Sequence, residues 1–187
     1  MFLQKKYHLA ALLLSCLFIC SCENDDAAID EWTKDKAMRE EAITVESYLS
    51  QEGKIKAKLT APIMLRVMAD TQYVEFTETL HVDFYNDSTQ VDTWLDAKYA
   101  KYYESQSKVY LRDSVRVITL KGDTLSSPDL WWDQNKGIFY TDKLAQYHSR
   151  DQQIYGGKGL EATQDLKKVT FREPTGIVDI SGQGVMQ

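Results

Sequence analysis

The sequence predicts an all-β domain beginning at residue 42, on three observations. Apolar and polar residues alternate with a period of two in the clearest segments, and turn signals recur between them at short intervals. No stretch beyond residue 41 sustains a helical period long enough to supply the crossovers of a parallel sheet, so the pairing is antiparallel.

Lys54 to Ala61, "KIKAKLTA", alternates strictly, with Ile55, Ala57, Leu59 and Ala61 on one face and Lys54, Lys56, Lys58 and Thr60 on the other. That is the pattern of a half-buried strand. Tyr73 to Phe76 follows as a short β-branched and aromatic run. Leu80, Val82 and Phe84 then alternate with His81, Asp83 and Tyr85. Further runs of the same composition span Lys98 to Tyr103, Val109 to Leu111, Val115 to Leu120, Gly137 to Tyr140, Lys143 to His148 and Lys168 to Phe171. The turn signals between them are Glu52-Gly53, Asn86-Asp87-Ser88, Gly122-Asp123, Asn135-Lys136-Gly137 and Gly156-Gly157.

A weak repeat runs through these elements. Leu59-Thr60-Ala61, Leu95-Asp96-Ala97, Leu125-Ser126-Ser127 and Leu160-Glu161-Ala162 each place a small residue two positions after a leucine, at spacings of 36, 30 and 35. Either each thin unit stacks on the next to bury a shared face, or the motif recurs by chance in a strand-rich chain.

The start of the chain has a different character. Lys5 and Lys6, with no acid nearby, precede an apolar run of twelve residues from Leu9 to Cys20, well short of the roughly 20 that span a bilayer as a helix. This is the pattern of an export signal. Ile19-Cys20-Ser21-Cys22 resembles a bacterial lipobox, with an aliphatic residue three positions before the cysteine and a small one immediately before it. Cys22 would then be the lipidated first residue of the mature protein. Cys16, Cys20 and Cys22 have no later cysteine to pair with, so neither a zinc site nor a disulfide framework is expected.

Loss of residues 1–21 removes Lys5 and Lys6 and leaves 20 basic against 28 acidic side chains, net −8. Such a surface repels nucleic acid. Glu23 to Glu41 carries eight acids and three basic residues and reads as a solvated tether, within which Glu31 to Glu41 has the composition of a short helix. The expected organisation is a signal over 1–21, a tether over 22–41, a β domain over 42–181 and a tail over 182–187.

Catalytic signals are sparse. His81 lies in the outward phase of its strand, and His148 sits beside a turn with no nucleophile elbow in the chain. Gly156-Gly157-Lys158-Gly159 lacks the Ser or Thr of a phosphate loop and reads as a bulge or a close backbone approach. Trp131 and Trp132 are adjacent, so only one of them serves any single surface of a strand. A carbohydrate-binding lipoprotein using one of those tryptophans is the alternative function; an enzyme would need His81 or His148.

Three stretches, "YLSQEGKIKAKLTAP", "GDTLSSPDLWWDQNKGIFYTDK" and "YGGKGLEATQDL", together with the lipobox and the tether, resemble the LptC family, the periplasmic component of the lipopolysaccharide-export ABC transporter system. The resemblance implies a twisted open β-jellyroll, two facing antiparallel sheets with an apolar groove between them, and transfer without catalysis or cofactor. It implies as partners lipopolysaccharide, the inner-membrane transporter at the N-terminal edge, near Ala42 to Ala61, and an LptA-like bridge protein at the C-terminal edge, near Tyr155 to Phe171. Many members carry an N-terminal transmembrane helix, whereas this chain would be held at the periplasmic face of the inner membrane by a lipid on Cys22. On this basis Ile55, Ala57, Leu59, Ala61, Leu80, Val82, Phe84, Leu95, Ala97, Val115 and Val117 either line the groove or pack a closed core. Gly157, Gly159, Leu160, Ala162, Val169 and Phe171 would form the docking edge, with Pro174 and Gly176 limiting pairing beyond it.

Overall fold

The computed structural model describes residues 38–68 and 71–178. The chain divides into two units, Met1–Ala37 and Met38–Gln187, and every described residue belongs to the second. The expected signal, Cys22 and the tail from 182 onward lie outside the described residues.

The described strands are β1 (Met38–Gln51), β2 (Lys54–Met68), β3 (Tyr73–Phe76), β4 (Leu80–Tyr85), β5 (Val91–Ala97), β6 (Tyr99–Tyr103), β7 (Lys108–Thr119), β8 (Thr124–Asp133), β9 (Ile138–Thr141), β10 (Ala145–His148), β11 (Gln152–Gly156), β12 (Leu160–Thr163), β13 (Val169–Phe171) and β14 (Pro174–Val178). All their pairings are antiparallel.

Two long hairpins organise the rest. In β1–β2 the turn is Glu52-Gly53, with φ of +53° and +75°, the backbone that a two-residue hairpin loop requires. The first half of β2 pairs with β4 and its second half with β3. In the other hairpin, β7 pairs first with β6 and then with β5, while β8 pairs first with β10 and then with β9. Each long strand therefore belongs to two sheets. One sheet runs β1-β2-β4-β5-β7-β8-β10-β11-β14, and the other runs β1-β2-β3-β6-β7-β8-β9-β12-β13. The result is a twisted open jellyroll.

The long strands bend where proline interrupts the ladder. Pro62, which has no N–H to donate, falls opposite Thr44, whose φ is +55°. Pro128 falls opposite Asp113 and Ser114, with φ of +64° and +60°. At Pro128 two residues face one, a bulge, and at both prolines the long strand passes from one sheet into the other. This is why Val109 to Leu111 and Val115 to Leu120, read from sequence as separate runs, are a single strand.

The chain crosses between sheets along this same seam. The Leu-x-small repeat follows from it. Leu59 and Ala61, Leu95 and Ala97, and Leu125 and Ser127 each end a stretch of the first sheet at a crossing, with the small residue of each pair buried. Leu160 and Ala162 sit just after a crossing.

Three expectations change. Strand β1 begins at Met38, four residues ahead of position 42, and Met38 to Glu41 are strand rather than helix. Pro174 and Gly176 do not stop pairing: β14 pairs with β11 from Gly156↔Pro174 to Gln152↔Val178. A proline at the first position of a strand needs no ladder N–H. Gly176 is needed there because a Cβ would stand 2.1 Å from the Gln153 carbonyl oxygen. Finally, β12 is paired on both sides, by β9 and by β13. Leu160 and Ala162 are buried, and with Gly157 and Gly159 in the preceding turn they offer no free strand edge. Of the residues expected at the docking edge, only Val169 and Phe171 lie on a strand that is unpaired on one side among the described residues.

Candidate functional site

The sheets border two cavities of about 410 and 190 Å³ that share Leu49, Ala57, Trp132 and Gln134. The larger opens where the turns after β4, β8 and β12 converge. Its deep wall includes Ala57, Phe84, Thr93 and Trp132, and its rim is polar. The smaller is mostly apolar, lined by Leu59, Met64, Val74, Phe76, Val82 and Tyr102. Arg66 and Glu104 pair at its edge, 3.7 Å apart.

The inward phase of each strand puts these side chains here. Ala57 and Leu59 follow from the alternation of β2, and Val82 and Phe84 from that of β4, whose register is Ala57↔Phe84 and Leu59↔Val82. Trp132 faces inward because β8 pairs Val109↔Trp132, in phase with the core. Phe84 meets Trp132 edge-on at 5.0 Å and Phe139 at 5.8 Å, so three aromatic rings join the sheets beside the larger cavity.

The sequence-derived groove set is thus divided. Ala57, Leu59, Val82 and Phe84 line the cavities. Ala61, Leu80, Leu95, Ala97, Val115 and Val117 pack a closed core. Ile55 shares their face but lies at the end of its strand and is 41% exposed. Trp132, Thr93 and Met64 join the lining from outside the expected groove set. For Trp132 the signal was present in the paired tryptophans, but only the register with β7 decides which one turns inward.

Trp131 points out of the second sheet. It packs against Tyr110 at 4.9 Å, and against Tyr103 and Tyr140 at 6.0 and 6.3 Å, in a row that runs Lys101↔Tyr110↔Trp131↔Tyr140 across four strands. Cross-strand aromatic pairs of this kind stabilise a sheet by roughly 0.2–1 kcal/mol each.

Charges at the cavity rim are paired. Lys56 reaches Asp87 at 3.1 Å and Lys167 reaches Asp165 at 2.8 Å. The hydrogen bond from Lys56 holds the Asp87 carboxyl below the usual range. For Asp165, burial opposes the charge, but hydrogen bonds from Lys167 and Thr163 outweigh it and the carboxyl also titrates low.

His81 lies on the outer face of the first sheet. Its Nδ1 is 2.7 Å from Asp96 and its Nε2 is 3.1 Å from Asp83. Burial disfavours the charged ring, yet the hydrogen bonds to the two carboxylates prevail and raise its pKa. With a carboxylate on each nitrogen, the protonated ring serves as the centre of an ion cluster. Because the folded pKa lies above the unfolded one, the stabilisation is complete below about pH 6.5 and fades as pH rises through the folded value. Urea midpoints of the wild type are therefore expected to fall between pH 6 and 8.5 relative to those of His81→Gln. Parallel curves for the two proteins would show that solvent screens the cluster out. His148 is exposed at the end of β10, and no group of His, Cys, Asp and Glu fit to hold a metal occurs among the described residues.

Both ends of the sheets are open among the described residues. Strand β1 forms one edge, with Ile43 72% exposed. Strands β13 and β14 form the other, where Ile177 is 74% exposed.

No curated protein matches the sequence. Residues 8–176 match the family described as lipopolysaccharide-assembly, LptC-related, a span that takes in β1 to β13 and the start of β14. With the two-sheet architecture already in place, that match is decisive: the chain belongs to the LptC-related family of lipopolysaccharide-assembly proteins.

Proposed function

We propose that the protein receives lipopolysaccharide from the inner-membrane ABC transporter and passes it to an LptA-like periplasmic bridge protein without catalysis. The acyl chains are held between the two sheets while a lipid on Cys22 ties the domain to the periplasmic face of the inner membrane. The observation that carries this reading is the pair of adjoining cavities between sheets whose inner faces are apolar. Each methylene withdrawn from water there contributes about 0.8 kcal/mol. A chain of ordinary length is thus held firmly, and moving it into an equivalent slot costs little.

The edges support a partner docking at each end. An unpaired strand presents a row of free N–H and C=O groups to which another sheet can be added. In this reading β1 meets the transporter, and β13 with β14 meets the bridge protein, which moves the second contact outward from Leu160 and Ala162 to Val169, Phe171 and the strand that follows.

A photo-crosslinking residue at position 59, whose side chain lines the smaller cavity, is expected to capture lipopolysaccharide in cells. The same residue at position 58 should not, because Lys58 lies on the outer face and pairs with Glu46 at 2.8 Å. Equal labelling at the two positions would refute the placement of the lipid.

A further inference from the structure

Two buried side-chain polar atoms among the described residues have no hydrogen-bond partner, Thr93 Oγ1 and Trp132 Nε1. Both residues line the larger cavity. They come from opposite sheets and are 1% and 2% exposed. Phe84 stands between them, paired in register with Thr93 and edge-on to the Trp132 ring. An unpaired buried polar group is costly, so two of them beside one cavity call for a physical account.

We infer that Thr93 and Trp132 form a polar subsite that takes a neutral oxygen carried by an otherwise apolar ligand: a hydroxyl, or the carbonyl of an acyl ester or amide. This rests on the reading of the cavity as an acyl-chain site and adds selectivity to it. The indole N–H only donates, so its partner must accept; the threonine hydroxyl both donates and accepts. Both atoms are sealed from the cavity as it stands, so a ligand reaches them only as the sheets part; a plain hydrocarbon chain then leaves both groups unpaired, whereas a ligand oxygen set against either one satisfies it. Anionic groups are disfavoured, because Lys56 and Lys167 at the rim are already paired with Asp87 and Asp165, and Asp92 adds a further carboxylate to the lining.

The test uses the full-length protein with n-hexane, 1-hexanol and methyl pentanoate as probes, read by the indole N–H resonance of Trp132 and by titration, with lipopolysaccharide capture at position 59 measured alongside. The oxygenated probes are expected to move the indole resonance and n-hexane to leave it in place. Thr93→Val should weaken the oxygenated probes about tenfold and leave n-hexane unchanged. It should also unfold at no lower a temperature than the wild type, since it removes an unpaired hydroxyl at constant shape. A response to 1-hexanol alone assigns the subsite to a hydroxyl, and a response to methyl pentanoate alone assigns it to a carbonyl. The inference is overturned if n-hexane moves the resonance equally, if Thr93→Val and Trp132→Phe weaken all three probes alike, or if any oxygen preference survives both substitutions. Capture of lipopolysaccharide without oxygen preference overturns the subsite alone; failure to capture any lipid removes the acyl-chain reading with it.

Discussion

Gly159→Ala is expected to cost about 3–4 kcal/mol, a large share of the roughly 5–15 kcal/mol that separates a folded domain from its unfolded chain. Gly159 has φ of +94°, and a Cβ there would stand 1.9 Å from the Thr141 carbonyl oxygen, with the Thr141 carbonyl carbon and Asp142 Cα both inside 3 Å. The left-handed backbone alone costs a non-glycine residue about 1 kcal/mol. The clash adds the larger part, because the opposing atoms are backbone and cannot rotate away. Thr141 is itself fixed: fully buried, it pairs with Leu160 in the β9–β12 ladder, and its hydroxyl donates to Asp129 at 2.8 Å. Relief would require β9 and β12 to separate, opening the C-terminal half of the second sheet.

Gly122→Ala is the control, with φ of +91° but nothing within 4 Å of the new Cβ. It should lose only about 1 kcal/mol, the conformational part. Urea denaturation of the two variants separates the contributions. Equal losses would show that β12 is free to move away from Thr141.

Legibility of the fold tracked how completely each strand is sandwiched. Strands β2 and β4 were plain in the sequence because one face of each is buried and the other is wet, so the period of two is written into Ala57, Leu59 and Ala61 and into Leu80, Val82 and Phe84. Strand β1 left no such trace. It is an edge strand over the open end of the cavities, most of its side chains are exposed, and selection for alternation is weak where neither face packs. The break in β7 looked like a loop because Asp113 and Ser114 are polar, and polar residues mark bulges as readily as turns. Gly156 to Gly159 was legible as a close approach, but not the strand it approaches. The site was half legible for the same reason. Its apolar wall follows from alternation, while its rim is assembled from Asp87, Gln134 and Asp165, residues from three turns far apart in sequence that only the jellyroll brings together.

Phe84→Ala is expected to lower stability by about 3 kcal/mol while increasing lipid capture at position 59. Truncating a buried phenylalanine costs about 3–5 kcal/mol. The lower end applies because Phe84 borders an existing cavity, so less new void is created. Its edge-on packing against Trp132 and Phe139 accounts for part of that cost, at roughly 0.5–1.5 kcal/mol for each pair of rings. These rings hold the sheets together beside the larger cavity, and cavities of about 410 and 190 Å³ do not hold a multi-chain lipid unless the sheets part. Interactions made only in the closed form oppose loading, and removing them shifts the population toward the form that accepts lipid. Leu95→Ala supplies the contrast. It removes a fully buried side chain of the closed core at about 2–5 kcal/mol but leaves all three rings in place, so it should reduce stability without raising capture per folded molecule. Were the two variants to change capture alike, the aromatic trio would be ordinary core, and opening of the sheets would have to be controlled elsewhere.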